Sequence, residues 1–458
     1  MFAESPPTWR TEFAETLRLA GPLAAANLLQ MAIYAVDVIF IARLGEEALA
    51  ISSLSVALSG LVMWTMTGLV GGAAPLIAAE IGRRRHAVRE VRRTFRMGAW
   101  LAVASGAFVM LLLTQGERLM RLAGQSPELA EGAGGFLMIL MWTSIPLVLS
   151  AHLRNTVSAL GRPSLGTAIA ALSVAVNALG NYLLIFGRWG APALGLHGSA
   201  IASVITGVVM LAAYGAVLTW DRQLRRYRLF GRWWRAEWPR LREMASIGAP
   251  IALTIVAEAG LFSGAAFLMG LISPVQLAGH TIALQVAAIA FQVPFGIGQA
   301  ATIRVGYHYG ARDDAGIARA GWAAVALSVV FMGFPTAIML FAPEWLIGIY
   351  VDTDAAHNAA LVGFAVQFMV VAAAFQLFDG LQAVGAGALR GLRDTRVPMA
   401  FAILGYWIPG LGTSVYLGFY TPLQGLGVWI GLAVGLVVVA LLMLQRWSRR
   451  ARLGLLPA

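Results

Sequence analysis

Apolar runs of about twenty residues or more recur from one end of this chain to the other, and no other feature limits its fold so strongly. A helix of that length crosses the roughly 30 Å hydrocarbon core of a bilayer. Composition agrees with the helical answer. Hydrophobic residues are 59% of the chain and charged residues 12%. The second figure is about half that of a soluble domain. The 51 glycines suit close helix packing in lipid.

The expected fold class is all-α and polytopic, with twelve membrane helices at roughly 18–42, 49–79, 97–115, 134–157, 164–186, 196–219, 245–270, 278–306, 320–341, 360–387, 397–417 and 425–445. The opening, MFAESPPTWRTEFAETLRLAG, has acids and prolines before its first apolar run and lacks the layout of a signal peptide, so helix 1 is expected to be retained. With no cysteine, disulfides and thiolate chemistry are excluded.

The net charge of +11 is not spread evenly. GRRRHAVREVRRTFR after helix 2 has seven arginines and the connector DRQLRRYRLFGRWWRAEWPRLRE has eight. Arg162, Arg312, Arg319, Arg390, Arg393, Arg396 and the tail RWSRRAR fall on the same side. The opposite loops, among them RLGEEAL and APEWLIGIYVDTDAAHN, are poorer in bases and richer in acids. The positive-inside rule then expects both termini in the cytoplasm. Short basic loops beside helix ends are explained as topology signals and contacts with anionic lipid, which leaves no need for nucleic acid as a partner.

The chain also repeats itself. GPLAAANLLQMAIYAVDVIFIARLGEEALA from Gly21 aligns with APIALTIVAEAGLFSGAAFLMGLISPVQLA from Ala249, so that Pro22 faces Pro250 and Ala50 faces Ala278. The register runs on, without a gap, until Gly82 meets Gly310. VNALGNYLLIFG from Val176 later parallels IPGLGTSVYLGF from Ile408. The expected organisation is an N-terminal lobe over 1–219 (helices 1–6), a cytoplasmic basic connector over 220–244, and a C-terminal lobe with tail over 245–458 (helices 7–12). Six is even, so the second copy enters the membrane in the same orientation as the first, and the repeats are parallel. Two such lobes can enclose a cavity and rock against each other.

Three acids interrupt the apolar runs: Asp37 in helix 1, Glu258 in helix 7 and Asp379 in helix 10. A carboxylate at membrane depth costs about 2.5–3.5 kcal/mol on insertion scales, so each should face protein interior or water. Binding a cation or a proton lowers that cost and changes the charge, which is the minimum apparatus of an ion-driven carrier. Gln376 and Gln382 lie three residues either side of Asp379, on one helical side. Asn177 and Asn181 are one turn apart and can ligate an ion, hydrogen-bond Asp37 or form a structural network. Asp37 also has a plainer reading, as a partner of Arg43 near the outer interface. Glu80 reads as an interfacial acid paired with arginine. Asn27, Gln30, Phe262, Phe291 and Phe375 are candidate cavity residues. His152, His280 and His308 are scattered and read as core or interfacial residues. The pair Asp313 and Asp314 reads as a charged loop. There is no HExxH and no phosphate-binding loop, so neither a catalytic metal nor ATP hydrolysis is expected.

GPLAAANLLQ, YAVDVIFIARLG, GLVGGAAPLIAAEIG, the Glu258 segment and FDGLQAVGAGALRGLRDT together resemble the multidrug and toxic compound extrusion family, in its bacterial NorM-like branch. The resemblance covers about residues 14–445. It implies two six-helix bundles in a V, in the bacterial inner membrane, exporting organic cations and amphipathic compounds in exchange for Na⁺ or H⁺, without a cofactor, an enzymatic step or an obligate protein partner. Residue by residue, it implies that Asp37 is the N-lobe acid with Asn177 and Asn181 beside it, and that Glu258 and Asp379 are the C-lobe pair that binds the coupling cation. Some relatives have a tyrosine one turn before the helix-10 acid. Phe375 stands there in this chain and brings no hydroxyl. Either set, Glu258 with Asp379 or Asp37 with Asn177 and Asn181, is a candidate Na⁺ site. The nearest competing function is a flippase for a lipid or lipid-linked glycan.

Overall fold

The computed structural model describes residues 8–84, 86–231 and 233–457. Arg85 and Arg232, each in one of the basic stretches, lie outside the described residues. Among the described residues, twelve helices are long and apolar enough to cross a membrane. They are labelled α1 (Trp9–Ala42), α2 (Glu46–Arg83), α3 (Ala87–Leu113), α4 (Pro127–Ala159), α5 (Pro163–Phe186), α6 (Gly195–Trp220), α7 (Trp238–Ile272), α8 (Pro274–Ala311), α9 (Asp314–Phe341), α10 (Ala356–Gly391), α11 (Arg396–Phe419) and α12 (Gly425–Ser448). Phe334, Phe341 and Leu111 are among many large apolar side chains left on the outside, as lipid-facing surfaces require. The protein is an all-α polytopic membrane protein.

Most of the elements extend past the expected spans, because backbone hydrogen bonding continues beyond the apolar stretch. Three are interrupted. The α2 segment breaks at Gly71 and Gly72 before resuming at Ala73. The α4 segment passes through a 3-10 turn at Met141–Thr143. The α11 segment passes through a π-helical turn at Tyr406–Leu411, which contains Pro409. Proline has no N–H to donate to the preceding turn, and a wider turn absorbs that loss.

The chain forms two compact units, and each draws a helix end from the other repeat. The first is Ala25–Ala252 and the second joins Phe2–Ala24, described from Thr8, to Leu253–Ala458. Ala24 and Ala252, where the unit changes, each lie two residues past a proline inside the first helix of a repeat, Pro22 and Pro250. Equivalent helices therefore change unit at equivalent places. The ends of α2 and α8 match as well, since Arg84 and Arg312 both have φ of 57°.

In the first unit α5 packs on α6, and α3 on the second half of α4. Val70, Ala102, Val109, Phe136 and Leu137 are among its core residues. The stretch 220–244 is more than a link. Leu224, Tyr227 and Leu229 are buried. Glu237 pairs with Arg93 and Arg96 of α3, and Trp100 Nε1 donates to the Trp233 carbonyl at 3.2 Å.

The second unit is built around α10, which α8, α9 and α12 all contact. Small residues allow this. A Cβ on Gly387 would lie 2.2 Å from the Gly298 carbonyl oxygen, so α8 and α10 touch backbone to backbone. Thr302 Oγ1 bonds across the same contact to the Gly387 carbonyl at 2.9 Å. Trp429, Phe368, Phe375 and Tyr406 fill the core beside it. This packing carries Asp379 inside with the rest of its helix.

Candidate functional site

Each unit contains one of the two sets of acids that interrupt the apolar runs. In the first, α1 presents Asp37 to α5 and α6. Asn177 Nδ2 donates to Asp37 Oδ1 at 3.0 Å and Asn181 Nδ2 donates to the same oxygen at 2.7 Å. The 3.6-residue period puts both amides on one face of α5, and both are fully buried. Ser203 Oγ of α6 reaches Asp37 Oδ2 at 3.5 Å. Asn181 Oδ1 has no hydrogen-bond partner among the described residues. Three donors converge on one carboxylate, and the unpartnered amide oxygen beside them is of a type that can ligate a cation. Arg43 does not take Asp37; its guanidinium lies 5.9 Å from the Phe40 ring centroid.

In the second unit the acids come from α7 and α10. Asp379 is 5% exposed, and its charge acts on that of Glu258. Gln382 is within hydrogen-bonding reach of Glu258. The Gln376 amide donates to the Ala287 carbonyl of α8 at 3.3 Å. Trp407, in the π-helical turn of α11, donates to the Ala257 carbonyl at 3.3 Å and so steadies α7 next to Glu258. Several buried oxygens here have no partner among the described residues: Asp379 Oδ1, Gln376 Oε1, Gln382 Oε1, the Tyr406 hydroxyl and Ser328 Oγ. Buried oxygens are rarely left unbonded, so this group is suited to protons, water or a cation.

The sequence-predicted residues divide accordingly. Asp37, Asn177 and Asn181 come together, as do Glu258, Asp379 and Gln382. Phe375 is a core residue, stacked on Trp429 at 5.7 Å and 16°. Phe262 and Phe291 are partly buried, and Phe291 stacks on Phe295. Gln30 accepts a 2.7 Å bond from Arg154, and Asn27 is buried. Glu80 is paired with Arg83 and Arg240, each at 3.2 Å.

Four contributors escaped the sequence reading. Ser203 and Ser328 left no signal, since a hydroxyl in a membrane helix can bond its own backbone and costs little. Arg390 was expected among the loop arginines. It lies instead within α10, and its charge acts on Glu258. Tyr406 interacts with Glu258 and Asp379 from α11.

Two segments, residues 22–183 and 250–414, match the MatE family model. A protein of Mesorhizobium japonicum described as "Probable multidrug resistance protein NorM" is 44% identical over 97% of this chain and 96% of its own length. One of Brucella suis with the same description is 42% identical over 96% of this chain and 94% of its own. Among solved structures, the eukaryotic MATE transporter AtDTX14 superposes with a TM-score of 0.84 at 20% identity, covering 98% of this chain and all of that one.

Proposed function

The chain belongs to the MatE family of secondary transporters, and on that premise we propose that it exports cationic or amphipathic compounds in exchange for Na⁺ or H⁺ by alternating access. The relatives described as multidrug resistance proteins support the substrate class. The observation that carries the coupling is the group of unpartnered buried oxygens around Asp379 and its interaction with Glu258. Two carboxylates in one apolar unit repel; Arg390 offsets part of this at Glu258, and a proton or cation relieves the rest. Asp37, with donors already on both oxygens, is the second coupling position.

An anionic acid attracts a cationic drug. Ion binding neutralises the acid and weakens that attraction, and by linkage the drug weakens ion binding equally. The gradient of the ion then drives the compound outward. The basic loops face the cytoplasm in this reading, with both termini on that side of the bacterial inner membrane. The repeats over 1–219 and 245–458 supply the two lobes of the carrier, apart from the first turns of α1 and α7, which each belong to the unit formed mainly by the other repeat.

Asp37→Asn, Glu258→Gln and Asp379→Asn, expressed in an efflux-deficient host, test the assignment. Each is expected to cut dye efflux about tenfold or more, the scale of one lost charge-assisted interaction. Wild-type efflux in all three, at normal membrane levels, contradicts it.

A further inference from the structure

The register that pairs Pro22 with Pro250 also pairs Glu12 with Arg240 and Glu80 with His308. In the folded chain these become two latches of opposite charge pattern. In the first unit, Arg240 at the start of α7 reaches Glu80 at 3.2 Å, Glu90 at 2.9 Å and Glu243 at 2.9 Å. In the second, Glu12 at the start of α1 takes a two-pronged bond from Arg304 of α8, with Nε to Oε1 and a terminal nitrogen to Oε2 both at 2.7 Å. His308, one turn along α8, lies 3.1 Å from Glu12 Oε2 through Nε2. Each latch ties the first turns of one repeat's leading helix into the unit formed mainly by the other repeat. Among the described residues, only the second contains a histidine.

The surroundings of His308 allow it two bonded states. Its Nδ1 lies 3.2 Å from Asp313 Oδ2, at the cap of α9, and Arg319 stands 3.6 Å behind that carboxylate. Its Nε2 lies 3.3 Å from the Arg304 guanidinium as well as 3.1 Å from Glu12, and the Tyr307 ring is packed beside it. A neutral imidazole has one donor and one acceptor. It can donate from Nδ1 to Asp313 and accept at Nε2 from Arg304, and then gives Glu12 nothing. An imidazolium donates from both nitrogens, and its Nε2–H goes to Glu12 Oε2. Protonation therefore adds one charge-assisted bond to the latch, while Arg304 holds Glu12 in either state.

We propose that His308 is a proton-binding site separate from the membrane carboxylates, and that its protonation tightens the hold of the second unit on the start of α1. Acid on the face of the basic loops locks this latch, and alkali loosens it. The Arg240 latch is built from guanidinium and carboxylates and has no imidazole among its described partners. The latch rests on contacts within one unit. Its bearing on transport, as a brake on the movement of α1, rests on the antiport reading.

The chain has no cysteine, so paired cysteines can carry spin labels on otherwise unaltered protein. One pair, Arg10→Cys with Ala311→Cys, reports on the His308 latch, and a second, Trp238→Cys with Val88→Cys, on the Arg240 latch; all four positions are exposed. Distances are read by double electron–electron resonance in nanodiscs at pH 5.5 and 8.5, without substrate or ion gradient. In the first pair the long-distance population is expected to rise about tenfold at pH 8.5, the scale of one charge-assisted bond. His308→Gln, and independently Glu12→Gln, are expected to abolish that pH response. The second pair is expected not to change. An unchanged first pair, a retained response in both variants, or an equal response in the second pair overturns the proposal. None of these readings requires transport, so a failed antiport assignment leaves the test intact.

Discussion

Asp37 and Asp379 are both carboxylates in apolar helices, yet their surroundings differ. Asp37 accepts from Asn177, Asn181 and Ser203, while Asp379 Oδ1 accepts from none of the described residues. Asn181→Ala removes the shorter of the two amide bonds to Asp37. It is expected to weaken the apparent affinity for Na⁺ about tenfold if Na⁺ is the coupling ion, through loss of the free amide oxygen, and to strengthen that for H⁺ if the proton is, through loss of a donor to the carboxylate, with little change in protein level, as measured by efflux rate against ion concentration. An unaltered ion dependence would show that the amides only pack. The acids were legible in the sequence because a charge in an apolar run is costly and cannot be incidental. The hydroxyls of Ser203 and Tyr406 were not, because neither is costly enough in a membrane helix to stand out. Arg390 was misread for a related reason: beside Arg393 and Arg396 it looked like one more loop charge. His308 was read as an isolated residue, since its partners Glu12 and Asp313 come from two other elements.

At the scale of elements, hydropathy located all twelve helices but not their interruptions. The run of length sets a span, whereas the break at Gly71–Gly72 and the π-helical turn at Pro409 depend on local backbone and neighbouring packing. The small-residue face of α10 was visible in AVGAG, but its partner was not. That partner is Gly298 of α8, and the fit is close enough to test. Gly387→Ala would set a methyl 2.2 Å from the Gly298 oxygen, whereas Gly363→Ala on the same helix meets nothing within 4 Å. The first is expected to destabilise the protein by about 1–3 kcal/mol, seen as a lower unfolding temperature in detergent. The second should be neutral or slightly stabilising, since alanine favours helix over glycine. Equal temperatures for both would contradict the backbone contact.

At the scale of the whole molecule, the repeat was legible from the spacing of Pro22, Pro250, Gly82 and Gly310. The exchange of helix starts between units was not, because it depends on which neighbours 8–24 and 238–252 choose after each helix proline. The same repeat also produces the unequal latches, a symmetric frame in which Glu80 and His308 hold equivalent places. The central claim is that an ion gradient drives export through the carboxylates. Purified protein in liposomes, given a Na⁺ gradient and a proton gradient in separate experiments, measures this most directly by the uptake of a cationic dye. The account predicts accumulation against the dye's own gradient under at least one of the two ions, and its loss in Asp379→Asn. Dye movement at the same rate with and without either gradient would contradict it.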